Sequence, residues 1–162
     1  PLSDNERCVA WLTLAVGKTH GWTTLFHWNH CDGLSAIRSH PHLNRASSQA
    51  HTLCVTLDWL SGAVQRNVAF CKIDVEGGEI DVLEGGTRAI GDGRIEALQF
   101  EYGGTWPTFG RKLREAFEFA RKVGMYTYKV VPTASGLQKM EWDDSLETFA
   151  YSNWVLAKNK GL

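Results

Sequence analysis

Apolar positions along the chain fall into short runs divided by polar, glycine-rich breaks, and the period of each run predicts its element. Residues 8–16 have strand composition, 17–21 read as a turn and 22–28 as a second strand, together predicting an N-terminal hairpin. Residues 29–50 are polar, rich in His and Ser and without period, which predicts a long surface loop. Residues 51–57 read as a strand, with Asp58 placed to cap a short helix over 59–65. Residues 68–74 are a nearly continuous apolar run, read as a strand buried on both faces. Over 78–90, Ile80, Leu83, Thr87 and Ile90 share one helical face, and Gly85 and Gly86 weaken that helix by about 1 kcal/mol each.

A strand over 95–100 follows, then an amphipathic helix over 111–123 with Leu113, Ala116, Phe117, Ala120 and Val123 inward. Gly124 is placed to close that helix in the left-handed conformation. Strands are predicted over 125–131 and 148–157, with the turn-rich segment 132–147 between them. The alternation of strand and helix predicts an α/β fold with a mostly parallel sheet and an antiparallel closing strand pair. At 162 residues, one domain spanning 1–162 is expected.

Composition changes this picture little. A net charge of -1 gives no electrostatic ground for nucleic acid or an anionic membrane as partner, and neither is expected. No apolar run approaches the ~20 residues that span a bilayer. The four cysteines are widely spaced, which reads as free thiols in a reducing, cytoplasmic setting. His27, His30, Cys31, His40 and His42 invite a metal reading, but their spacing matches no closed zinc pattern, and no metal site is expected.

The chemistry concentrates in Lys72-Ile73-Asp74-Val75-Glu76-Gly77-Gly78-Glu79. A buried strand ending in carboxylates just before a helix is how an α/β sheet builds a ligand crevice. Glu101, at the end of the next predicted strand, should lie beside Asp74. Glu76 and Glu79 stand at a helix start, where they serve either a site or the helix dipole. Tyr102 and Trp106 belong to a glycine-bearing aromatic loop beyond Glu101 that reads as substrate-binding or as a plain surface turn.

This central motif, with Val82-Leu83-Glu84-Gly85-Gly86, resembles the signature of the FkbM-type methyltransferases. Leu2-Ser3-Asp4, Val55-Thr56-Leu57-Asp58-Trp59-Leu60 and Leu98-Gln99-Phe100-Glu101-Tyr102 match further family segments in order. The resemblance implies a partial Rossmann-like class I methyltransferase sheet and S-adenosylmethionine as cofactor. It implies O-methylation of a hydroxyl on a small molecule or glycan. The family's glycine-rich cofactor loop and first strands have no counterpart here. The chain is therefore expected to be the C-terminal part of the domain, partnered by the upstream half in a longer chain. The alternative is a non-catalytic fragment of this fold or an interaction module.

By that resemblance Asp74 is the first choice as general base or positioning group, with Glu101 second and Glu76 beside them as catalytic candidates. As a helix cap Asp74 would stand slightly early. Ser3 and Asp4 fall where the family's third strand meets the cofactor, and Asp4 could accept from an adenine amino group. Glu79, Tyr102 and Trp106 complete the expected substrate contacts. Asp58 is read as a helix cap.

Overall fold

The computed structural model describes residues 11–28, 35–39, 48–132 and 136–158. They form two mixed sheets with four α-helices. The first sheet contains β1 (Ala15–Gly17), β2 (Gly21–His27), β3 (Ser35–Ala36) and β4 (Ser48–Thr56), in the order β1-β4-β2-β3. The second contains β5 (Cys71–Ile73), β6 (Ala97–Tyr102), β7 (Tyr126–Val130), β8 (Leu137–Met140) and β9 (Ser152–Ala157), in the order β5-β6-β9-β7-β8.

The expected N-terminal hairpin is replaced by another arrangement. β4 lies between β1 and β2, pairing parallel to β1 and antiparallel to β2. The nine-residue β4 offers two edges. Cys54 is opposite Ala15 on one edge and Gly21 on the other, so the 17–21 turn crosses over β4 instead of closing a hairpin.

The expectation of a mostly parallel sheet is also corrected. Among the described strands only β1–β4 and β5–β6 pair in parallel, and the other strand pairings are antiparallel. Parallel neighbours need a long crossover, which the helices between β5 and β6 supply. β8 follows β7 as an antiparallel hairpin neighbour. β9 inserts between β6 and β7, antiparallel to both, which realises the expected antiparallel closing pair. β8 itself lies inside the segment read as turns.

The strand predicted over 68–74 is reduced to β5, with a single bridge from Val68 to Ile95 before it. It is an edge strand among the described residues, and Lys72 and Phe70 are exposed, so burial on both faces does not hold.

The helices are α1 (Leu57–Val64), α2 (Glu79–Gly85), α3 (Thr87–Gly91) and α4 (Leu113–Val123). Thr56 caps α1 by accepting from the Trp59 amide at 3.2 Å. Asp58 caps a different helix. Its carboxylate accepts from the Ala89 amide of α3 at 2.8 Å and pairs with Arg88. The single helix predicted over 78–90 breaks at Gly86 into α2 and α3. Gly124 closes α4 with φ 71°, as its sequence position predicts.

Alternation along β6 sends Leu98, Phe100 and Tyr102 into the core with Ile73, Trp154 and Leu156. Ile80, Leu83 and Ile90 of α2 and α3, with Leu113, Ala116 and Ala120 of α4, cover this face. Glu147 ties the far end together. Its carboxylate accepts from the amides of Leu113 and Arg114 at the start of α4, and from the Tyr102 hydroxyl at 2.8 Å. Arg111 joins α4 to α2 through Asp81 and Glu84. Among the described residues no helix is long and apolar enough to cross a membrane.

Candidate functional site

β5 and β6 run in parallel register, Lys72 beside Gln99 and Ile73 beside Phe100. That register brings the residues just past Ile73 to the carboxyl end of β6, where Glu101 stands. Asp74 is thus close enough for its charge to act on Glu101, in keeping with neighbouring strand ends. Glu76 joins them from the turn after β5. Burial first, and the neighbouring Asp74 charge second, push the Glu101 and Glu76 carboxyls above their ordinary range. Lys72 forms an ion pair with Asp74, and its hydrogen bond to that carboxylate raises its own pKa.

The turn that presents Glu76 is unusual backbone. Glu76 has φ 58° and Gly77 φ 105°. A Cβ on Gly77 would also lie 2.7 Å from the Phe109 ring and 2.8 Å from the Thr105 carbonyl oxygen. Glycine at 77 is therefore required twice, by conformation and by close approach.

Glu79 holds this turn from beneath. It is 1% exposed, and its Oε1 accepts from the amides of Val75 at 3.2 Å and Gly77 at 3.3 Å. Its Oε2 is buried without a hydrogen-bond partner. Burial pushes the carboxyl up to about 7. An acid whose folded pKa is raised destabilises the fold once it ionises. Stability is therefore expected to fall by up to about 3 kcal/mol as pH rises from about 4.5 to 7, and to level off above. Glu79→Gln should flatten that slope, as read from urea denaturation at pH 5 and pH 8. An unchanged slope would show that Glu79 does not carry it.

The remaining expected contacts are placed otherwise. Tyr102 is fully buried, its hydroxyl donating to Glu147 and accepting from the Phe149 amide at 2.6 Å. Trp106 is also fully buried, donating to the Glu101 carbonyl at 3.0 Å and lying edge-on to Tyr102. With Glu79, they support the site from inside and present no surface to a substrate. The physical reason is the alternation of β6, which turns Tyr102 to the core face, and the 3-10 turn Trp106–Phe109 that folds the loop back.

Ser3 and Asp4 lie outside the described residues, as do His30, Cys31, His40 and His42. His27 bonds Ser35 at 2.8 Å, and no cluster of potential metal ligands occurs among the described residues. Cys54 and Cys71 are free thiols.

The site contains two residues that the sequence reading did not select. Lys72 was visible in the motif as the one cation beside three carboxylates. Asn153 stands opposite Glu101 on β9 and donates to the Tyr151 hydroxyl at 3.1 Å, a placement that only strand register reveals. Beside Asp74 opens a cleft of about 160 Å³, lined by Leu25, Ser35, Ile37, Val75 and Gly78 among others. A larger cavity of about 320 Å³ between α4, β7 and β8 is lined by none of the carboxylate cluster.

Carboxylates gathered at the carboxyl ends of two adjacent parallel strands, beside a cleft, are the features from which an α/β fold builds a strand-end crevice. The family model described as "Methyltransferase FkbM domain" matches residues 4–145, and the chain belongs to that family. No curated protein and no solved structure gives a match.

Proposed function

We propose that this chain carries an S-adenosylmethionine-dependent O-methyltransferase site acting on a hydroxyl of a small molecule or glycan. The observation that carries the reading is the cluster of Asp74, Glu76 and Glu101 at the strand ends beside the cleft, in a chain of the FkbM family. The donor set suits this chemistry, since carboxylates favour a sulfonium charge and accept from hydroxyls. The cleft of about 160 Å³ is smaller than the roughly 300–1,000 Å³ of sites for drug-sized ligands.

When bound, S-adenosylmethionine supplies an electrophilic methyl group on sulfur. Asp74, half-exposed and tied to Lys72, would accept the proton of the acceptor's hydroxyl. Glu76 and Glu101 hold the acceptor in line, which is the larger part of the rate.

A second reading follows from the edge of β5, which no strand among the described residues covers, next to Phe70 at 55% exposure. There the chain pairs with a strand from the upstream half of the same domain, and by itself is an interaction module. Calorimetric titration of S-adenosylmethionine, followed by a labelled methyl-transfer assay on hydroxylated acceptors, separates the two. Saturable binding and transfer are expected. A folded chain that neither binds nor transfers would overturn the first reading and leave the second.

A further inference from the structure

The cavity between α4, β7 and β8, at about 320 Å³, has about twice the volume of the cleft at Asp74 and falls within the roughly 300–1,000 Å³ of small-molecule sites. One wall is helical. Arg114, Phe117, Glu118 and Arg121 recur three or four residues apart, which sets them on one face of α4. The other wall is sheet. Thr127 of β7 is paired with Met140 of β8, and Trp142 follows just beyond that strand.

The aromatic surface of this cavity is held in place. Phe117 lies edge-on to Trp142 at 5.3 Å and to Trp154 at 5.5 Å between ring centroids. The Trp142 indole donates to Asp144 at 3.1 Å. Such a wall takes a flat apolar body, and the methionine beside it adapts to the ring's outline.

Three polar groups line the cavity without a partner among the described residues. Thr127 is 4% exposed, and its hydroxyl makes no hydrogen bond there. A buried hydroxyl left so is costly until something in the cavity bonds it. Arg121 and Glu141 are exposed, which puts them at the mouth, and neither belongs to an ion pair among the described residues. The other two charges of the lining satisfy each other, since Arg114 donates to Glu118 at 3.0 Å. Either free charge alone would be an ordinary solvated side chain. A cation and an anion at one mouth, over an aromatic wall with an unbonded hydroxyl inside, make a pattern with an order to it.

We propose that this cavity binds a zwitterionic α-amino acid whose aromatic ring carries a hydroxyl. Arg121 takes the carboxylate and Glu141 the ammonium. The ring lies against Phe117 and Trp142, and its hydroxyl bonds Thr127. A ligand with one charge only would leave Arg121 or Glu141 unmatched, and an unsubstituted ring would leave Thr127 unbonded. The site is independent of the methyl-transfer reading, since none of the strand-end carboxylates lines it.

The test is titration of L-tyrosine into the nitrogen-15-labelled chain, followed by backbone amide shifts. Three further probes each lack one group: L-phenylalanine, tyramine and 3-(4-hydroxyphenyl)propionate. Saturable shifts centred on Thr127, Met140 and Trp142 are expected for L-tyrosine, with each other probe binding about tenfold more weakly. Thr127→Val should abolish the preference over phenylalanine without lowering the melting temperature, because it removes a hydroxyl that the fold leaves unbonded. Arg121→Gln should remove the preference over tyramine, and Glu141→Gln that over the propionate. Absence of saturable shifts, or shifts centred elsewhere, would overturn the site. A probe that binds as tightly as L-tyrosine would overturn the contact it lacks. A preference that survives its matching variant would overturn the part assigned to that residue.

Discussion

Asp74→Asn is expected to lower methyl-transfer turnover by about 10²–10³-fold while leaving the fold intact. The amide keeps the size and shape of the carboxylate but cannot accept a proton, which is the contribution general-base catalysis makes at this scale. Stability should hardly change. The side chain of Asp74 is 43% exposed and its partner Lys72 is 50% exposed. An ion pair in that setting contributes about 0–1 kcal/mol. The measurement is kcat and KM of the variant beside a denaturation curve. A fall in kcat with an unchanged unfolding midpoint supports the base assignment. Unchanged kcat would remove Asp74 from the chemistry and move the base role to Glu101 or Glu76.

Gly85→Ala is expected to destabilise the chain by about 3 kcal/mol or more, the largest stability effect of any single methyl addition considered. Helix propensity alone predicts the opposite sign, because alanine in a helix is favoured over glycine by about 1 kcal/mol. Packing overrides it. A Cβ on Gly85 would lie 2.2 Å from the Gly17 carbonyl oxygen, 3.2 Å from its carbon and 3.3 Å from the Lys18 Cα. All three are backbone atoms, so no side chain can rotate away. Relief requires α2 to withdraw from β1, and β1 is held in turn by its pairing with β4. Overpacking of this kind costs about 1–3 kcal/mol when a core can yield, and more when it cannot. Gly91→Ala is the control, since a Cβ there meets nothing within 4 Å. Urea denaturation of both variants decides the matter. Equal midpoints for the two would mean that the approach of α2 to β1 does not set stability.

The two predictions concern one piece of architecture. α2 leaves the carboxylate turn, lies against β1 through Gly85, and is bound to α4 by Arg111. The cleft beside Asp74 lies between that turn and the first sheet. Withdrawal of α2 from β1 would therefore widen the cleft as well as weaken the fold. A glycine that looks from sequence like a weak spot in a helix is instead what permits the two sheets to close around the site.

Much of the local structure follows from the chain alone. The period of 111–123 and the glycine at 124 are enough to define α4 and its end, because an amphipathic stripe and a left-handed cap are local physics. The apolar run before Asp74 and the motif after it locate the turn that gathers Asp74 and Glu76, and the alternation of 97–102 places Glu101 at a strand end. The family, too, is legible in those residues.

Register, strand order and the inside or outside of each loop are not local. β4 lies between β1 and β2, and β9 between β6 and β7, because distant strands compete for the same edges. Tyr102 and Trp106 have the composition of a binding loop, but the pleat of β6 and the fold-back at Pro107 turn them into core. Glu79 reads as a site carboxylate and becomes the buried support of the turn, since the backbone amides of Val75 and Gly77 donate to it there. Asn153, some fifty residues from Glu101 in sequence, stands opposite it only through the β6–β9 pairing. The sequence by itself determined which residues carry charge and, β8 and the break at Gly86 excepted, where the main strands and helices fall, through nearest-neighbour periodicity. Only the tertiary structure decided which charges meet, because that depends on pairings between segments far apart in the chain.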